Sequence, residues 1–368
     1  MKKFTPQIEP LIGLSEIRAV NAYMQSGGWL TEFKETAVFE ARLTDFLGCR
    51  FATIVSNGTV SLFLSLGALG IGPGDEIIVP DLTMIASANA ILLAGATPVL
   101  VDIDPDTLCL DLGLIDAKLT RRTKAVILVA FNGRSPNMEK VIEFCRSRNL
   151  YLIEDAAQAF GSKWRRKYLG TFGDYGSFSF SYPKIITTGQ GGAVITNKRE
   201  YIERVEKLKD FGRRTSGVDE HITIGYNFKF SDLLAVVGNA QIANIGWRVK
   251  RKKEIYALYQ KELSDTPQIR FIPTDLSQTC PWFVDIYISD RDMLALYLKS
   301  KNIGTRPIYP PVHTQSPYNA WDQFKTASFA VSEKVSKTGL FLPSSLTLSD
   351  MTIRKICAQI ASFYKKSR

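Results

Sequence analysis

Between residues 50 and 200 short apolar runs alternate with stretches of helical period. Phe51-Ala52-Thr53-Ile54-Val55 predicts a buried strand, and residues 59–69, with Leu62, Phe63, Leu64 and Leu66 grouped, predict a helix. A Gly72-Pro73-Gly74-Asp75 turn leads to a strand at 76–80 and a helix at 85–93. Strands follow at 98–102 and 125–129, then a helix at 138–148 and a strand at 150–154. Fully apolar strands separated by helices imply right-handed crossovers and a mostly parallel sheet covered on both faces. The fold class is α/β.

Beyond Thr196-Asn197 the pattern changes. A charged helix spans 200–211, and the region from about 245 onward combines a basic helix, a strand at 283–288 and helices near 291–301 and 351–364. This predicts a large unit at 1–245, including the N-terminal segment, and a smaller C-terminal α+β unit at 246–368. No internal repeat is visible.

Composition narrows the possibilities. With 45% hydrophobic and 22% charged residues, the chain has the balance of a folded soluble protein. The first residues carry no apolar signal-like run and no stretch reaches membrane-spanning length, so a cytoplasmic protein is expected. Five dispersed cysteines without a Cys-x-x-Cys pair, and only two histidines, argue against a disulfide framework and against a thiolate or histidine metal site. The net charge of +10 comes from scattered clusters such as Arg165-Arg166-Lys167 and Lys250-Arg251-Lys252-Lys253. Without a stripe or aromatic interleaving these read as a solvated surface suited to small anions, not as a nucleic-acid face.

Three segments carry candidate chemistry. Ser56-Asn57-Gly58-Thr59 stands between a strand and a helix start, where free N–H groups and the helix dipole attract an anion and Gly58 permits close approach; the same letters also make an ordinary turn and cap. Leu152-Ile153-Glu154-Asp155-Ala156-Ala157-Gln158 ends an aliphatic strand in an acid, at the sheet edge where ligands bind. A carboxylate there needs a cationic partner, unless Asp155 simply caps a helix. In Gly176-Ser177-Phe178-Ser179-Phe180-Ser181-Tyr182-Pro183-Lys184 a single lysine follows an alternating strand and precedes Gly189-Gln190-Gly191-Gly192. A desolvated lysine in such a place can form a Schiff base, although a lone lysine is more often a surface charge. Walker, G-x-G-x-x-G, H-E-x-x-H and G-x-S-x-G motifs do not occur.

At these residues the chain resembles the DegT/DnrJ/EryC1/StrS family of sugar aminotransferases, fold-type-I enzymes dependent on pyridoxal 5′-phosphate (PLP). Further support comes from Ser26-Gly27-Gly28-Trp29, Phe160-Gly161-Ser162-Lys163, Ile224-Gly225-Tyr226-Asn227, Thr305-Arg306-Pro307 and Pro311-Val312-His313-Thr314. The resemblance implies an aspartate-aminotransferase-like fold, Lys184 as the Schiff-base lysine, and Asp155 against the pyridine nitrogen. It implies Gln158 as the partner of the ring's phenolic oxygen and Gly58, Thr59 and Ser179 as phosphate contacts. Asn227 matches a residue reaching the phosphate from a neighbouring subunit, hence a homodimer with shared sites. Trp29 and His313 fall at substrate positions, and Lys229 stands where relatives often carry Arg and could neutralise a carboxylate or diphosphate. Met84 stands where relatives place an aromatic ring against the cofactor, a place a thioether can fill. Gln190 replaces a Glu and Asn132 a Tyr, two departures that bear on substrate choice. The implied reaction moves an amino group from glutamate to C4 of a nucleotide-linked 4-keto-6-deoxy sugar. The nucleotide is expected to be GDP, with UDP or dTDP as alternatives. Lys184 itself argues against the branch of dehydratases that lack the lysine, and against a regulator without transaminase activity.

Overall fold

The computed structural model describes residues 4–325 and 327–366. Helices α1 (Leu14–Gln25) and α2 (Lys34–Leu47) precede strand β1 (Phe51–Val55). Then α3 (Gly58–Ala68), β2 (Glu76–Pro80), α4 (Ala86–Leu93), β3 (Thr97–Val101), β4 (Thr123–Val129), α5 (Met138–Ser147) and β5 (Tyr151–Asp155) follow in strict alternation apart from β3–β4. A two-residue hairpin, β6 (Lys163–Trp164) and β7 (Lys167–Tyr168), leads to β8 (Tyr175–Ser179), β9 (Gly192–Thr196) and helices α6 (Arg199–Lys209) and α7 (Asp232–Ala243).

The central sheet has seven strands in the order β1-β9-β8-β5-β4-β2-β3. Its β2, β3, β4, β5 and β8 are mutually parallel, whereas β9 runs antiparallel to both β1 and β8. The carboxyl ends of β1, β2, β4, β5 and β8 therefore meet on one rim. The apolar β2 and β4 are buried on both faces, as helical cover on each side requires. Helix α3 is apolar almost all round and correspondingly buried from Val60 to Leu66.

The remaining chain builds a second sheet. Helix α8 (Ile245–Glu262) leads to β10 (Val284–Tyr287), α9 (Arg291–Ser300), β11 (Arg306–Pro307), the short α10 (Ser316–Asn319) and α11 (Asp322–Lys325), α12 (Ala330–Thr338), β12 (Gly339–Leu342) and α13 (Asp350–Lys366). These strands form an antiparallel sheet in the order β10-β12-β11. Ile255, Tyr259, Leu294, Leu298, Ile353 and Ile360 pack on it from α8, α9 and α13 as a separate apolar core. The N-terminal segment crosses to this unit: Thr5 donates to Asn302 O at 2.8 Å and Gly304 donates to Thr5 O at 2.7 Å.

A buried ion pair joins the two sheets. Arg134, just after β4, donates to both oxygens of Asp285 on β10 at 2.8 and 2.9 Å, and both side chains are almost wholly buried. Tyr287 donates to the same carboxylate at 2.8 Å. Removing one partner strands the other charge in a low-dielectric interior. Arg134→Ala is therefore expected to cost about 3–5 kcal/mol of stability, measured as a lower denaturation midpoint, with Arg214→Ala, which breaks an exposed ion pair to Glu220, as control.

Candidate active site

The rim where the parallel strands end collects the candidate residues. Asn57 caps α3, its side chain accepting from Val60 N at 2.9 Å. The amides of Gly58 and Thr59, and the Thr59 hydroxyl, make no hydrogen bond among the described residues, as the first turn of a helix leaves them. A Cβ on Gly58 would lie 2.9 Å from Ser179 Cβ, so the start of α3 and the end of β8 stand in close contact. Ser179 Oγ lies 2.9 Å from Ser181 Oγ. Free amides, a helix dipole and hydroxyls here form a cup for a phosphate.

Asp155 ends β5 and is 6% exposed. It accepts from Ser87 Oγ at 2.7 Å and from Ala157 N at 3.1 Å. Burial pushes its carboxyl up; the Ser87 hydroxyl, the Ala157 amide and the more distant Lys184 charge oppose that rise. A buried carboxylate with neutral donors and no cation in contact suits a cationic ring nitrogen. Gln158 is buried, and its Oε1 accepts from Asn132 N at 2.9 Å. Its Nε2 donates to no acceptor among the described residues, so it is available to an oxygen of a bound ring.

Lys184 follows β8 and is half-buried as a residue, with its Nζ 3.7 Å from the centroid of the Trp282 ring. Trp282 is pinned in turn, its indole N–H donating to Pro183 O at 3.0 Å. Burial drives the Lys184 ammonium down to about 8, Asp155 resists the drop and Arg306 reinforces it. An amine that loses its proton near neutral pH is a nucleophile. Donors at the phosphate cup, an acid for a ring nitrogen, an amide for a ring oxygen and a nucleophilic amine fit PLP in chemistry and number.

Other candidates lie around this group. Met84, in the loop after β2, is 48% exposed, and its Sδ accepts from Ala86 N at 3.2 Å. His313 is tied to the same rim: its amide donates to Asp81 Oδ1 at 2.9 Å, its Nδ1 lies 2.7 Å from Oδ2, and its ring stacks on Phe329. Trp29 is 64% exposed and stacks on Phe33. Asn227 is exposed, with a side chain that bonds to no described residue. Lys229 is engaged within the chain, its Nζ 3.0 Å from Asp210 Oδ1, a carboxylate that Arg213 shares. Asn132 is 1% exposed, and its side chain is bonded to Phe283 and Asp285 at the start of β10.

Several residues of the rim escaped the sequence reading. Ser87 could have been found from Thr83-x-x-x-Ser87: Thr83 lies in the loop before α4 and Ser87 in its first turn, with their hydroxyls 3.0 Å apart and Ser87 bonded to Asp155. Trp282 and Tyr309 carried no signal beyond being aromatic. The Tyr309 hydroxyl is buried with no hydrogen-bond partner among the described residues, and the Arg306 guanidinium lies 5.4 Å from the centroid of its ring.

The DegT/DnrJ/EryC1/StrS aminotransferase family model matches residues 10–361. A GDP-perosamine synthase of Escherichia coli O157:H7 is 38% identical over 365 residues, covering 98% of this chain and 99% of that protein. One from Vibrio cholerae is 34% identical, with 98% and 99% covered. Among solved structures, the aminotransferase TlmJ from Streptoalloteichus hindustanus superposes with a TM-score of 0.92 at 32% identity, over 99% of this chain and 100% of that one. DesV of S. venezuelae, in complex with a ketimine intermediate, gives 0.91 at 30% identity over 98% and 99%.

Proposed function

Because the chain belongs to the DegT/DnrJ/EryC1/StrS aminotransferase family, whose members depend on PLP, we propose that it transfers an amino group from glutamate to C4 of GDP-4-keto-6-deoxymannose, giving GDP-perosamine. The observation that carries the reading is the single rim bearing Lys184, Asp155, Gln158 and the open amides of α3. The relatives named GDP-perosamine synthase, matched end to end, support the sugar.

PLP supplies an electron sink, so that the carbon bearing the amino group can lose a proton. The residues do the rest. Gly58, Thr59 and Ser179 would hold the phosphate, and Asp155 would stabilise a proton on the ring nitrogen. Lys184 is the amine that would hold the cofactor covalently, and once freed by the amino donor it would serve as the general base and acid that moves a proton from the donor carbon and, in the second half-reaction, to the carbon of the sugar ketone. Met84 would cover the cofactor ring, while Trp29, Lys229 and His313 would meet substrate; Lys229 would do so while sharing its charge with Asp210.

The second subunit enters through Asn227. We assign this residue to the phosphate of a partner's site. The exposed Ile222, Ile224 and Tyr226 beside it form an apolar arm that a homodimer would cover. Residues 1–245 and 246–368 act as large and small domains of a cytoplasmic enzyme, and no helix among the described residues is long and apolar enough to cross a membrane.

The test is an amination assay with glutamate and GDP-, UDP- and dTDP-linked 4-keto-6-deoxy sugars. The GDP sugar is expected to lead by at least about tenfold in kcat/KM, equivalent to about 1.4 kcal/mol. Preference for UDP or dTDP overturns the nucleotide, and transfer to none of them overturns sugar amination.

A further inference from the structure

Asn132 joins two bodies of the protein through its two ends. Its side chain behaves like a piece of strand. Oδ1 accepts from Phe283 N at 2.8 Å, while Nδ2 donates to Phe283 O at 3.1 Å and to Asp285 Oδ1 at 2.9 Å. Every hydrogen-bonding site that matters on this amide is directed at the start of β10 in the smaller sheet. Its main chain faces the other way, with the N–H donating to Gln158 Oε1 at 2.9 Å. The residue holds φ +51°, a left-handed conformation that Asn tolerates better than most side chains. Next to it Gly133 passes so close to the smaller unit that a Cβ would stand 2.5 Å from Cys280 O. The anchor on the far side is firm: Asp285 also receives Arg134 and Tyr287.

The contact with Gln158 fixes more than a position. An amide side chain has one acceptor end and one donor end. With Oε1 held by an N–H, the donor Nε2 must be the end presented to the cleft. A donor there is what an anionic ring oxygen needs, and an inverted amide would set two lone-pair-bearing oxygens against each other.

We propose that Asn132 is a positioning residue that couples the placement of β10 to the hydrogen bond Gln158 donates to the cofactor's phenolic oxygen. The inference rests on the PLP reading above, through Gln158. Its physical content is a three-part chain: the small sheet holds the Asn132 side chain, this holds its backbone in the left-handed conformation, and the backbone N–H holds the orientation of the Gln158 amide. When β10 is unhooked, Gln158 is free to rotate and its donor is lost from the ring oxygen. A donor at that oxygen favours its anionic form and makes it a weaker base toward the proton shared with the neighbouring nitrogen of the Lys184–cofactor linkage. Losing the donor therefore raises the pH at which that linkage gives up its proton.

The experiment is a pH titration of the visible absorbance of the PLP-loaded enzyme, which reads this proton without turnover. Four proteins are compared: wild type, Asn132→Gly, Gln158→Ala and the double variant. Gly keeps the backbone N–H and permits φ > 0, so Asn132→Gly removes only the hooks on β10. Both single variants are expected to move the midpoint upward by about half a unit to one unit, the scale of one neutral hydrogen bond. The double variant should match Gln158→Ala alone, because a residue that acts through another adds nothing once that other is gone. An unmoved midpoint in Gln158→Ala overturns the placement of Gln158 on the ring and leaves the relay without an output. A shift in Gln158→Ala with none in Asn132→Gly overturns the relay alone. Additive shifts overturn it as well, since they show Asn132 acting by another route. Should Asn132→Gly fail to accumulate as folded holoenzyme, Asn132→Asp is read in the same way. It keeps the shape and the acceptor for Phe283 N–H, and sets a carboxylate against Asp285.

Discussion

Lys184→Ala yields a protein that does not attach PLP covalently and does not transaminate. The argument rests on the surroundings of one amine. Lys184 lies against the Trp282 indole, and burial brings its ammonium down to about 8, so near neutral pH a sizeable fraction is already the free base that attacks an aldehyde. The sign is testable as well: a depressed amine is deprotonated as pH rises through its midpoint, so covalent loading of the cofactor-free protein should accelerate from below to above pH about 8. No second lysine replaces it in place. Lys252 is also buried and pushed down to about 7, yet its Nζ is held by Trp282 O at 2.8 Å and Ser344 O at 2.7 Å. Borohydride treatment of the holoenzyme should label position 184 alone. A label elsewhere, or transamination by the alanine variant, removes the basis of the assignment.

Asp155→Ala is expected to lower kcat on the order of 100- to 1,000-fold, the cost of losing a preorganised charge at a reacting centre, while cofactor remains bound through the phosphate cup. Burial pushes this carboxyl up against the Ser87 hydroxyl, the Ala157 amide and the Lys184 charge, and a protonated ring nitrogen would add a counter-charge in direct contact. Once that nitrogen is protonated against it, each favours the charged form of the other. Single-turnover kinetics at saturating PLP separate a slow proton transfer from weak binding. Near-wild-type kcat in the alanine variant would show that the acid facing the ring lies elsewhere.

Much of this site is legible in the sequence because its determinants are local. An aliphatic run closing on Asp155, a glycine at a helix start, and a lysine between a Ser/Phe strand and a glycine turn are each set by neighbours along the chain. The strands at 51–55 and 76–80 are found where the apolar pattern puts them. Direction is another matter. β9 is as buried and apolar as the parallel strands, yet it runs against both of its neighbours, β1 and β8, since periodicity records burial and not the sense of the chain. Helices α1, α2 and α7 pass unnoticed because their apolar faces are completed by each other. Asp232 at the start of α7 accepts from the amides of Phe33, Glu35 and Thr36 and so caps α2 from a distance. Asn132 shows the same limit in reverse. Standing where relatives have Tyr suggested a bearing on substrate choice, and only the partner segment, far along the chain, reveals where its amide is bonded.

The antiparallel β9 also shapes how the protein can be made. Val55, at the end of β1, finds its ladder partner only in Gly192, which pairs on its other side with Ser179. A Cβ on Gly192 would lie 2.4 Å from the carbonyl carbon of Asn57, so the phosphate cup takes its shape against this late strand. A chain emerging from the ribosome therefore displays the greasy α3 long before its cover exists, a state prone to sticking to other chains. Loop closure over so long a separation is slow. Vitamin capture must come after synthesis has passed β9, which makes loading with cofactor a report that the central sheet has closed.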